Sequence, residues 1–487
     1  MPVFSLPSPY GIGTLGKEAY NFIDFLESAG QSYWQMLPVG PTSYGDSPYQ
    51  SPSSFAGNPY FIDPDMLTKD GLLTSGEARS IEWGDDPCSV DYETLYNRRY
   101  PLLEKASERC WEKNADEINA FAASTPWLAD YSLFMAVKRY FKMVSWLEWP
   151  DEDIRLRREN ALARYREMLD ADVRFFMFLQ YEFYKQWDAL KTYAHKHGVE
   201  IIGDLPVYVA LDSADVWAEP GFFQLDERNI PVEVAGVPPD YFTKDGQLWG
   251  NPLYDYDKMA ADGFGWWIRR VEGAGKLYDM IRIDHFRGFA SYWSVPYGEK
   301  TAKNGHWVKG PGMALISVLK NWFPQIRFIA EDLGYPAKEV SDLLQESGWP
   351  GMKVLEFAFD HRDVSSHLPH TYSFNCICYS GTHDNNTLVG WKSEADPKDI
   401  SKAKRYLGLN SKEGFVRGMI RGGMASSADL FIAQIQDYLE LGKEARINTP
   451  GTASGNWTWR MKPGLLTPAL AKELASMATL YGRYTKG

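Results

Sequence analysis

The sequence has few cysteines for its length, no long hydrophobic run and no excess of basic charge. Only four cysteines occur in 487 residues, too few for the disulfide framework of a small secreted protein. No window approaches the about 18 uncharged apolar residues that a membrane span needs. The first residues also lack the basic and apolar regions of a secretory signal. We therefore expect a cytoplasmic protein with no membrane partner.

The charge balance narrows the choice of partner. The net charge is −13 and no run of lysine and arginine occurs. A negative surface without a basic patch argues against nucleic acid and against anionic lipid as partners. A neutral substrate is compatible with this balance, and the sequence leaves protein partners undefined.

Two patterns that suggest a metal or a cofactor lack the context they need. The stretch HRDVSSHLPH (361–370) contains three histidines, but Pro369 spoils a helical ligand pair and no cysteine lies near, so we expect no metal site. The GxGxxG at 11–16 follows PSPY rather than an apolar strand. The dinucleotide fingerprint requires that strand, so we expect no cofactor.

Aromatic residues, in contrast, are abundant. Phe, Trp and Tyr make up 15% of the chain, with 18 tryptophans. Much of this must be core, but many rings lie beside polar residues in loops rich in glycine and proline, such as SPYQSP, GQLWGNPLYDY and GNWTWR. Aromatic faces pack against apolar surface and keep a polar edge for hydrogen bonds. Since they also stack on the C–H faces of sugars, a carbohydrate substrate is one hypothesis.

Short apolar runs, most followed by a loop and a helical stretch, recur along the chain. Strands that alternate with helices imply parallel βαβ units, and about eight such units close into a (β/α)₈ TIM barrel. An open doubly wound sheet is the alternative. The seven clear runs are 31–40, 199–209, 278–286, 325–334, 351–360, 374–384 and 445–452, and a weak eighth, PVFSLP, lies at 2–7.

One interval is too long for a single loop. Between the runs at 31–40 and 199–209 lie some 160 residues, and much of this interval has helical periodicity. We expect an α-helical insertion at 66–195 within a single catalytic barrel spanning 1–487. Its last helix should carry one apolar stripe at spacings of three and four, formed by Phe176, Leu179, Phe183, Trp187, Leu190 and Tyr193.

Acidic residues end several of the runs. Asp204, Asp284 and Glu331 each close an apolar run, and Asp384 lies just past another. For any one of them a helix N-cap is a sufficient explanation, and we interpret Asp360 in that way. Four acids on separate strands favour convergence, because catalytic residues of parallel α/β barrels lie at the carboxyl ends of the strands.

The stretch YDMIRIDHFRGF predicts how two of these acids divide their work. Arg282 and Asp284 face the same side of a strand, so the guanidinium should lower the pKa of the carboxyl and keep it ionised as a nucleophile. Glu331, crowded by carboxylates, should have a raised pKa and act as the general acid of a glycosidase-type site. His383 and Asp384 would hold sugar hydroxyls. The alternative for Arg282 and Asp284 is a buried structural salt bridge.

Four stretches taken together resemble one known family. They are RIDHFRGF (282–289), IAEDLG (329–334), SGTHDNNT (380–387) and GDLPVYV (203–209). With them the chain is similar to the 4-α-glucanotransferases, the amylomaltase or disproportionating-enzyme family related to the α-amylases. Three longer stretches agree: TSYGDSPYQSPSSFAGNPYFID, AGVPPDYFTKDGQLWGNPLYDY and RINTPGTASGNWTWR. The similarity extends from about residue 10 to 460.

The resemblance implies a (β/α)₈ barrel with insertions, a retaining double displacement and α-1,4-glucan or maltooligosaccharide substrates. By matched motif, Asp284 would be the nucleophile, Glu331 the acid and then the base, and Asp384 the stabiliser of the transition state. A loop at 236–256, whose first part is GVPPDYF (236–242), would cover the acceptor side. The implied substrate-binding residues are Ser47, Tyr49, Asp204, Trp249, Arg282, His383 and Asn456.

Three functions remain open from the residues themselves. The first is a 4-α-glucanotransferase, the second an α-glucan hydrolase of the same barrel class, and the third a non-catalytic glucan-binding protein. Transfer and hydrolysis share one covalent intermediate, so the motifs overlap. The expectation of transfer therefore rests on the resemblance and not on residue spacing.

Overall fold

The computed structural model describes residues 1–239, 243–334, 336–452 and 454–484, except the side chain of Tyr44. No helix in these ranges has both the length and the apolarity to cross a membrane. The strands are β1 (Tyr33–Gln35), β2 (Glu200–Pro206), β3 (Glu233–Val237), β4 (Gln247–Pro252), β5 (Met280–Asp284), β6 (Ser291–Pro296), β7 (His306–Lys309), β8 (Arg327–Ala330), β9 (Gly351–Val354), β10 (Cys376–Tyr379) and β11 (Leu430–Ile432).

Helices fill most of the chain between the strands. The α-helices are α1 (Lys17–Ser28), α2 (Pro64–Lys69), α3 (Ser75–Arg79), α4 (Tyr92–Ala123), α5 (Leu128–Tyr140), α6 (Glu152–Arg155), α7 (Glu159–Met168), α8 (Asp170–Lys196), α9 (Ala214–Ala218), α10 (Tyr256–Ala261), α11 (Gly265–Leu277), α12 (Arg287–Ala290), α13 (Met313–Trp322), α14 (Lys338–Ser347), α15 (Leu388–Glu394), α16 (Pro397–Leu407), α17 (Phe415–Met424), α18 (Ile435–Tyr438) and α19 (Pro468–Leu480). The 3₁₀ turns are Val3–Ser5, Tyr44–Asp46, Pro59–Phe61, Trp146–Glu148, Pro220–Phe222, Leu355–Phe357, Pro369–Thr371 and Lys443–Ala445.

A parallel sheet forms the centre of the molecule, in the order β1-β2-β5-β8-β9-β10-β11. The sheet curls until its two edges approach each other. Tyr33 of β1 and Leu430 of β11 pack on the same interior cluster, and the Tyr379 hydroxyl donates to Gln35 Oε1 at 3.0 Å. The predicted TIM-type barrel is confirmed, as a nearly closed barrel of seven parallel strands in the described ranges.

Two of the predicted strands are wrong. PVFSLP forms a 3₁₀ turn at Val3–Ser5, because the prolines at both ends fix φ and remove backbone donors. The run at 445–452 is the end of a 3₁₀ turn followed by a loop. The seventh strand is instead Leu430–Ile432. It is three residues long, so its own pattern is too short to predict it, and its pairing with β10 defines it.

Alternation along the strands divides the core into two parts. One set of side chains fills the barrel interior: Ile202, Met280, Ile329, Met352, Val354, Ile377 and Tyr379. The opposite set packs outward against the helices in a much larger cluster. Because successive strand residues face opposite sides, positions two beyond the interior set also point inward. Asp204, Arg282 and Glu331 occupy such positions.

Helices α2 to α8 lie between β1 and β2. The predicted stripe of α8 is buried from Phe176 to Leu190, whereas Tyr193 is partly exposed. Trp187 stacks on Phe183, with ring centroids 5.9 Å apart, and its indole N–H donates to the carbonyl of Leu277 at 3.1 Å. This bond ties the helical region to the end of α11, just before β5.

A second, antiparallel sheet has the order β4-β3-β6-β7. It includes residues 236–237 and 247–252 of the segment 236–256, for which a loop was expected, because β3 and β4 pair as antiparallel neighbours. Residues 240–242, the end of GVPPDYF, lie outside the described residues. Strands β3 and β4 follow β2 in the chain, and β6 and β7 follow β5, so this sheet lies on the same side of the barrel as the carboxyl ends of β2 and β5.

Candidate active site

Strand register brings four of the predicted residues together. Asp204 on β2 is the register partner of Arg282 on β5. The next neighbour, β8, pairs its Ala330 with Ile283, and the Glu331 N–H continues this ladder by donating to the Ile283 carbonyl at 3.0 Å. Glu331 therefore lies beside Asp284. The convergence was predicted from sequence, and register is its physical cause.

Arg282 joins two of the acids. Its Nη1 donates to both carboxylate oxygens of Asp204, at 2.7 and 2.8 Å, and to Asp284 Oδ1 at 3.0 Å. The side chains of Arg282 and Asp204 are 5% and 1% exposed, whereas that of Asp284 is 27% exposed at the barrel mouth. The bonds to Asp204 and Asp284 hold the Arg282 guanidinium in place, and they leave the Asp284 carboxyl group facing the cleft.

The pKa of Asp284 corrects one expectation. Arg282 lowers this pKa, as predicted, but burial of the carboxyl outweighs it, and Asp204 and Asp384 raise it further. The net pKa is raised to about 6. Asp284 is therefore still mainly ionised at neutral pH, but with a smaller margin than an Arg–Asp pair alone implies.

Glu331 has the raised pKa that was predicted, for a partly different reason. Burial is the largest cause, Asp284 and Asp332 add to it, and the net pKa is about 8. Its two oxygens accept the backbone N–H groups of His285 (2.8 Å) and Leu333 (3.0 Å). His285 has a φ of +54°, in the left-handed region that non-glycine residues adopt at a cost, and this turn aims its N–H at Glu331.

The third predicted acid, Asp384, lies on the turn after β10. Its Oδ1 accepts from Asn448 Nδ2 at 2.6 Å and lies 3.3 Å from His383 Nε2. Arg446 Nη2 donates to the Asp384 backbone carbonyl at 2.7 Å. Asp384 and His383 both contribute to the electrostatics of the Asp284 carboxyl. The structure thus brings all three predicted catalytic acids to one mouth of the barrel.

Tyr49 connects an aromatic wall to this charged group. Its hydroxyl donates to Asp204 Oδ2 at 2.6 Å, and its ring stacks on His383 with centroids 5.2 Å apart. Trp457 lies 5.8 Å from the Tyr49 ring and 5.9 Å from His383. Ser47 supports the turn, because its Oγ accepts the Tyr49 N–H at 3.2 Å.

A second aromatic wall surrounds His285. Trp249 of β4 meets the imidazole edge-on at 4.8 Å, and Tyr208 lies 6.3 Å from both rings. Burial and the nearby Arg287 lower the pKa of His285 to about 4, so this imidazole is neutral at neutral pH. Because the backbone N–H of His285 donates to Glu331, this second aromatic wall lies on the Glu331 side of the cleft.

Asn456 is held within its own loop. Its Oδ1 accepts the Thr449 N–H at 2.9 Å, and its Nδ2 donates to the Thr452 carbonyl at 3.1 Å. Within the described part of the chain, its connection to the other predicted residues runs through the next residue, Trp457, which packs on His383. Asn456 is therefore placed at the rim, and the charged centre is formed without it.

The histidines of HRDVSSHLPH have separate partners. His361 Nδ1 lies 2.7 Å from Asp399 Oδ1, His367 Nδ1 accepts the Val354 N–H at 3.0 Å, and the His370 ring bonds to Tyr406. One potential metal-ligand group within the described ranges combines His361 and Asp399 with Asp360. The expected helix N-cap role of Asp360 is wrong, because no described helix begins directly after it. Its carboxylate is instead paired with Arg362 at 2.7 Å.

The sequence profile of the 4-alpha-glucanotransferases matches residues 1–467. The chain belongs to the 4-alpha-glucanotransferase family. It is 47% identical to the 4-alpha-glucanotransferase of Clostridium butyricum over 486 residues, which are 99% of this chain and 100% of that one. With the Thermus thermophilus enzyme of the same name it shares 46% identity, covering 97% of this chain and 96% of the relative.

A solved structure agrees with the family. Amylomaltase from Streptococcus agalactiae in complex with acarbose superposes with a TM-score of 0.97 at 40% sequence identity, covering 100% of this chain and 99% of the other. The expected membership of the 4-alpha-glucanotransferases is confirmed, and the hydrolase alternative is not favoured.

Several residues of this glucanotransferase site escaped the sequence reasoning. Asn448 and Arg446 hold the Asp384 turn, but they lie in a stretch that was read as a strand. Glu356 follows β9 and is buried beneath the same turn. It was missed because the run at 351–360 was read as one strand ending at Asp360, whereas β9 ends at Val354. Its position two residues beyond an inward-facing valine is the signal that could have found it.

Proposed function

We propose that this glucanotransferase moves α-1,4-glucan segments between maltooligosaccharides by a retaining double displacement, with Asp284 as nucleophile and Glu331 as acid and base. The observation that carries the proposal is the placement of two carboxyls on neighbouring strands in different surroundings, with Asp284 bonded to Arg282 and Glu331 bonded to the backbone N–H groups of His285 and Leu333. Asp284 is ionised on Arg282, and Glu331 on the next strand is protonated at neutral pH. We place the reaction in the cytoplasm, which cell fractionation tests.

In the first step an Asp284 carboxylate oxygen attacks C1 of the donor sugar. A C1–O ester bond forms, the C1–O4 glycosidic bond breaks, and the Glu331 proton moves to O4 of the leaving sugar. Asp384, which is held by Asn448 and His383, accepts hydrogen bonds from hydroxyl groups of the distorted sugar ring. These bonds strengthen as positive charge develops at C1.

In the second step Glu331 is an anion and acts as the base. It takes the proton of an acceptor 4-hydroxyl, whose oxygen attacks C1 while the ester bond to Asp284 breaks. The product has the configuration of the donor, because two inversions restore it. This outcome requires the two carboxyl groups about 5–5.5 Å apart, whereas inversion requires about 6.5–9.5 Å.

Transfer rather than hydrolysis requires that a sugar reaches the ester before water does. Two aromatic walls flank the acids, one formed by Tyr49, His383 and Trp457 and the other by Trp249, Tyr208 and the His285 ring. Rings of this kind can hold an acceptor sugar and exclude water. We assign the acceptor side to the hairpin within 236–256, which carries Trp249, and we treat 66–195 as an insertion in one catalytic barrel.

Incubation with maltotriose tests the reaction type. Transfer yields glucose together with a ladder of longer oligomers, whereas hydrolysis yields only shorter sugars. Chromatography of the products over time separates the two outcomes. A protein that leaves maltotriose unchanged, although it is folded and binds it, would refute catalysis altogether.

Azide rescue tests the two assigned roles separately, with an activated α-maltosyl fluoride donor that needs no acid. In Glu331→Gln, azide should replace the acceptor and yield the α-azide. In Asp284→Gly, azide should attack from the side that the nucleophile has left and yield the β-azide. NMR of the anomeric proton identifies the product. The same azide anomer from both variants would contradict the assignment.

A further inference from the structure

Glu356 is a buried acid that the proposed reaction does not use. It lies two residues after Val354, in the 3₁₀ turn that follows β9. Met352 and Val354 point into the barrel, and Glu356 extends this inward row toward the mouth. The residue is 8% exposed, and its Oε1 is buried without a hydrogen-bond partner among the described residues. Such a group costs free energy and calls for an explanation.

The carboxyl group lies directly beneath the turn that carries His383 and Asp384. Val354 and Tyr379 are register partners, so Glu356 and Gly381, each two residues further on, meet side by side. A Cβ on Gly381 would lie 3.1 Å from Glu356 Oε1 and 2.9 Å from Gln434 Nε2. The absence of a side chain at Gly381 therefore allows the acid to touch the backbone of the turn.

Bonds within the turn connect this contact to Asp384. Asn385, next to Gly381 and the carboxyl group of Glu356, accepts from the N–H and the hydroxyl of Thr382, both at 2.9 Å. The Thr382 Oγ1 in turn accepts the Asp384 N–H at 3.3 Å. A continuous series of contacts and hydrogen bonds therefore joins Glu356 to Asp384 through Gly381, Asn385 and Thr382.

Burial favours the neutral form of Glu356. It raises the pKa of this carboxyl well above the ordinary value, and the buried Asp437 raises it further, against the opposing effects of Arg446 and of a side-chain hydrogen bond with Asn385. Asp437 is itself fixed by the Ser380 hydroxyl at 2.6 Å and the Leu388 N–H at 2.7 Å. A neutral acid can lie against the turn without drawing Arg446 away from the Asp384 carbonyl.

We infer that Glu356 is a positioning residue for glycosyl transfer, whose buried carboxyl group sets the Gly381–Asn385 turn so that Asp384 meets the sugar in the transition state. The inference rests on the proposed role of Asp384. Because the turn matters most when the ring is distorted, loss of Glu356 should reduce kcat and leave KM nearly unchanged.

The test compares Glu356→Ala and Glu356→Gln in the transfer reaction with maltotriose at pH 7. We expect the alanine variant to lose about 10- to 100-fold in kcat, with KM within about twofold. The glutamine variant, which keeps both shape and neutrality, should retain kcat within about threefold. A glutamine variant as slow as the alanine variant, or an alanine variant as fast as wild type, would overturn the inference.

A double-mutant cycle with Asp384→Asn shows whether Glu356 acts through Asp384. If it does, Glu356→Ala should slow the Asp384→Asn enzyme no further. Independent, multiplying losses would refute the coupling. If Asp384→Asn retains full activity, the proposed role of Asp384 is wrong. If that variant is slow but the two losses multiply, only the inference about Glu356 fails.

Glu182 in α8 provides a control, because it is also a buried glutamate with one oxygen that lacks a hydrogen-bond partner among the described residues. Glu182→Ala should change the unfolding midpoint and leave kcat unchanged. If Glu356→Ala does not fold, Glu356→Asp replaces it, since aspartate keeps the acid but withdraws it from Gly381. That variant should lose kcat, and full activity in it would contradict the inference.

Discussion

The pH dependence of transfer follows from the two raised pKa values at the site. In the proposed mechanism the reactive form of the enzyme has Asp284 ionised and Glu331 protonated. Burial raises the pKa of Asp284 to about 6 and that of Glu331 to about 8. Lowering the pH through 6 protonates the nucleophile, and raising it through 8 removes the proton that the leaving sugar needs. The profile of kcat/KM should therefore be bell-shaped.

The size of the effect can be worked out from these two values. With pKa values of about 6 and 8, about 80% of the enzyme is in the reactive form at pH 7, and about 9% at pH 5 or pH 9. A loss of about ninefold is therefore expected two units to either side of the optimum. The two limbs belong to the pair as a whole, because each carboxyl changes the titration of the other.

Initial rates of glucose release from maltotriose, measured from pH 4.5 to 9.5 at constant ionic strength, give the profile. The control is the α-maltosyl fluoride donor, whose leaving group needs no proton. The formation of the glycosyl-enzyme from this donor should lose the alkaline limb and keep the acidic one. Circular dichroism at each pH separates loss of activity from loss of fold.

Two results would refute this reasoning. An acidic limb below pH 4 would mean that Arg282, and not burial, dominates the titration of Asp284. An alkaline limb that persists with the fluoride donor in the glycosylation step would mean that Glu331 is not the proton source. Either outcome contradicts the division of roles between the two acids, whatever the fold.

Four further predictions concern single residues. Tyr49→Phe removes the 2.6 Å bond to Asp204, and a hydrogen bond to a charged group contributes about 1.5–3 kcal/mol, so kcat/KM for maltotriose should fall at least about tenfold. Asp204→Asn removes a negative charge that raises the pKa of Asp284, so the acidic limb of the pH profile should move to lower pH. The variant also removes a buried partner of Arg282, and urea unfolding should show a loss of about 3–5 kcal/mol of stability. Trp187→Ala deletes a fully buried indole and should cost about 3–5 kcal/mol of stability with unchanged kcat, and a reduced kcat in folded enzyme would contradict a purely structural role. The pKa of Glu331 is raised to about 8 in the folded protein. The stability that this group contributes is therefore fully present below the ordinary pKa of a glutamate and is lost as the pH rises through 8. Glu331→Gln should have a higher Tm than wild type at pH 9, with little difference at pH 4.

The sequence was sufficient for the barrel but not for its strand count. Alternating apolar runs and helical stretches predict parallel βαβ units, and six of the predicted runs coincide with β1, β2, β5, β8, β9 and β10. The runs PVFSLP and 445–452 were wrong, and Leu430–Ile432 was missed. A short strand is defined by the ladder that its neighbour offers, and this information lies in β10 and not in the residues of β11.

The convergence of the four acids was predictable from the sequence, but their pKa values were not. Asp204, Asp284, Glu331 and Asp384 stand at or just past the ends of apolar runs, and the barrel rule predicts that such residues converge. Their pKa values depend on how much protein surrounds each carboxyl. The sign of the Arg282 effect on Asp284 was correct, yet burial outweighs it, and burial is a property of the packed mouth that no local pattern encodes.

The sequence by itself determined which acids stand at the strand ends and in what order along the chain, because strand alternation and family motifs are local properties. Only the tertiary structure decided how the groups support each other. The left-handed His285 aims its N–H at Glu331, Asn448 fixes Asp384 from 64 residues away, and Glu356 reaches its turn because Gly381 has no side chain. These contacts join residues that are distant along the chain, so they exist only once the strands have paired in register.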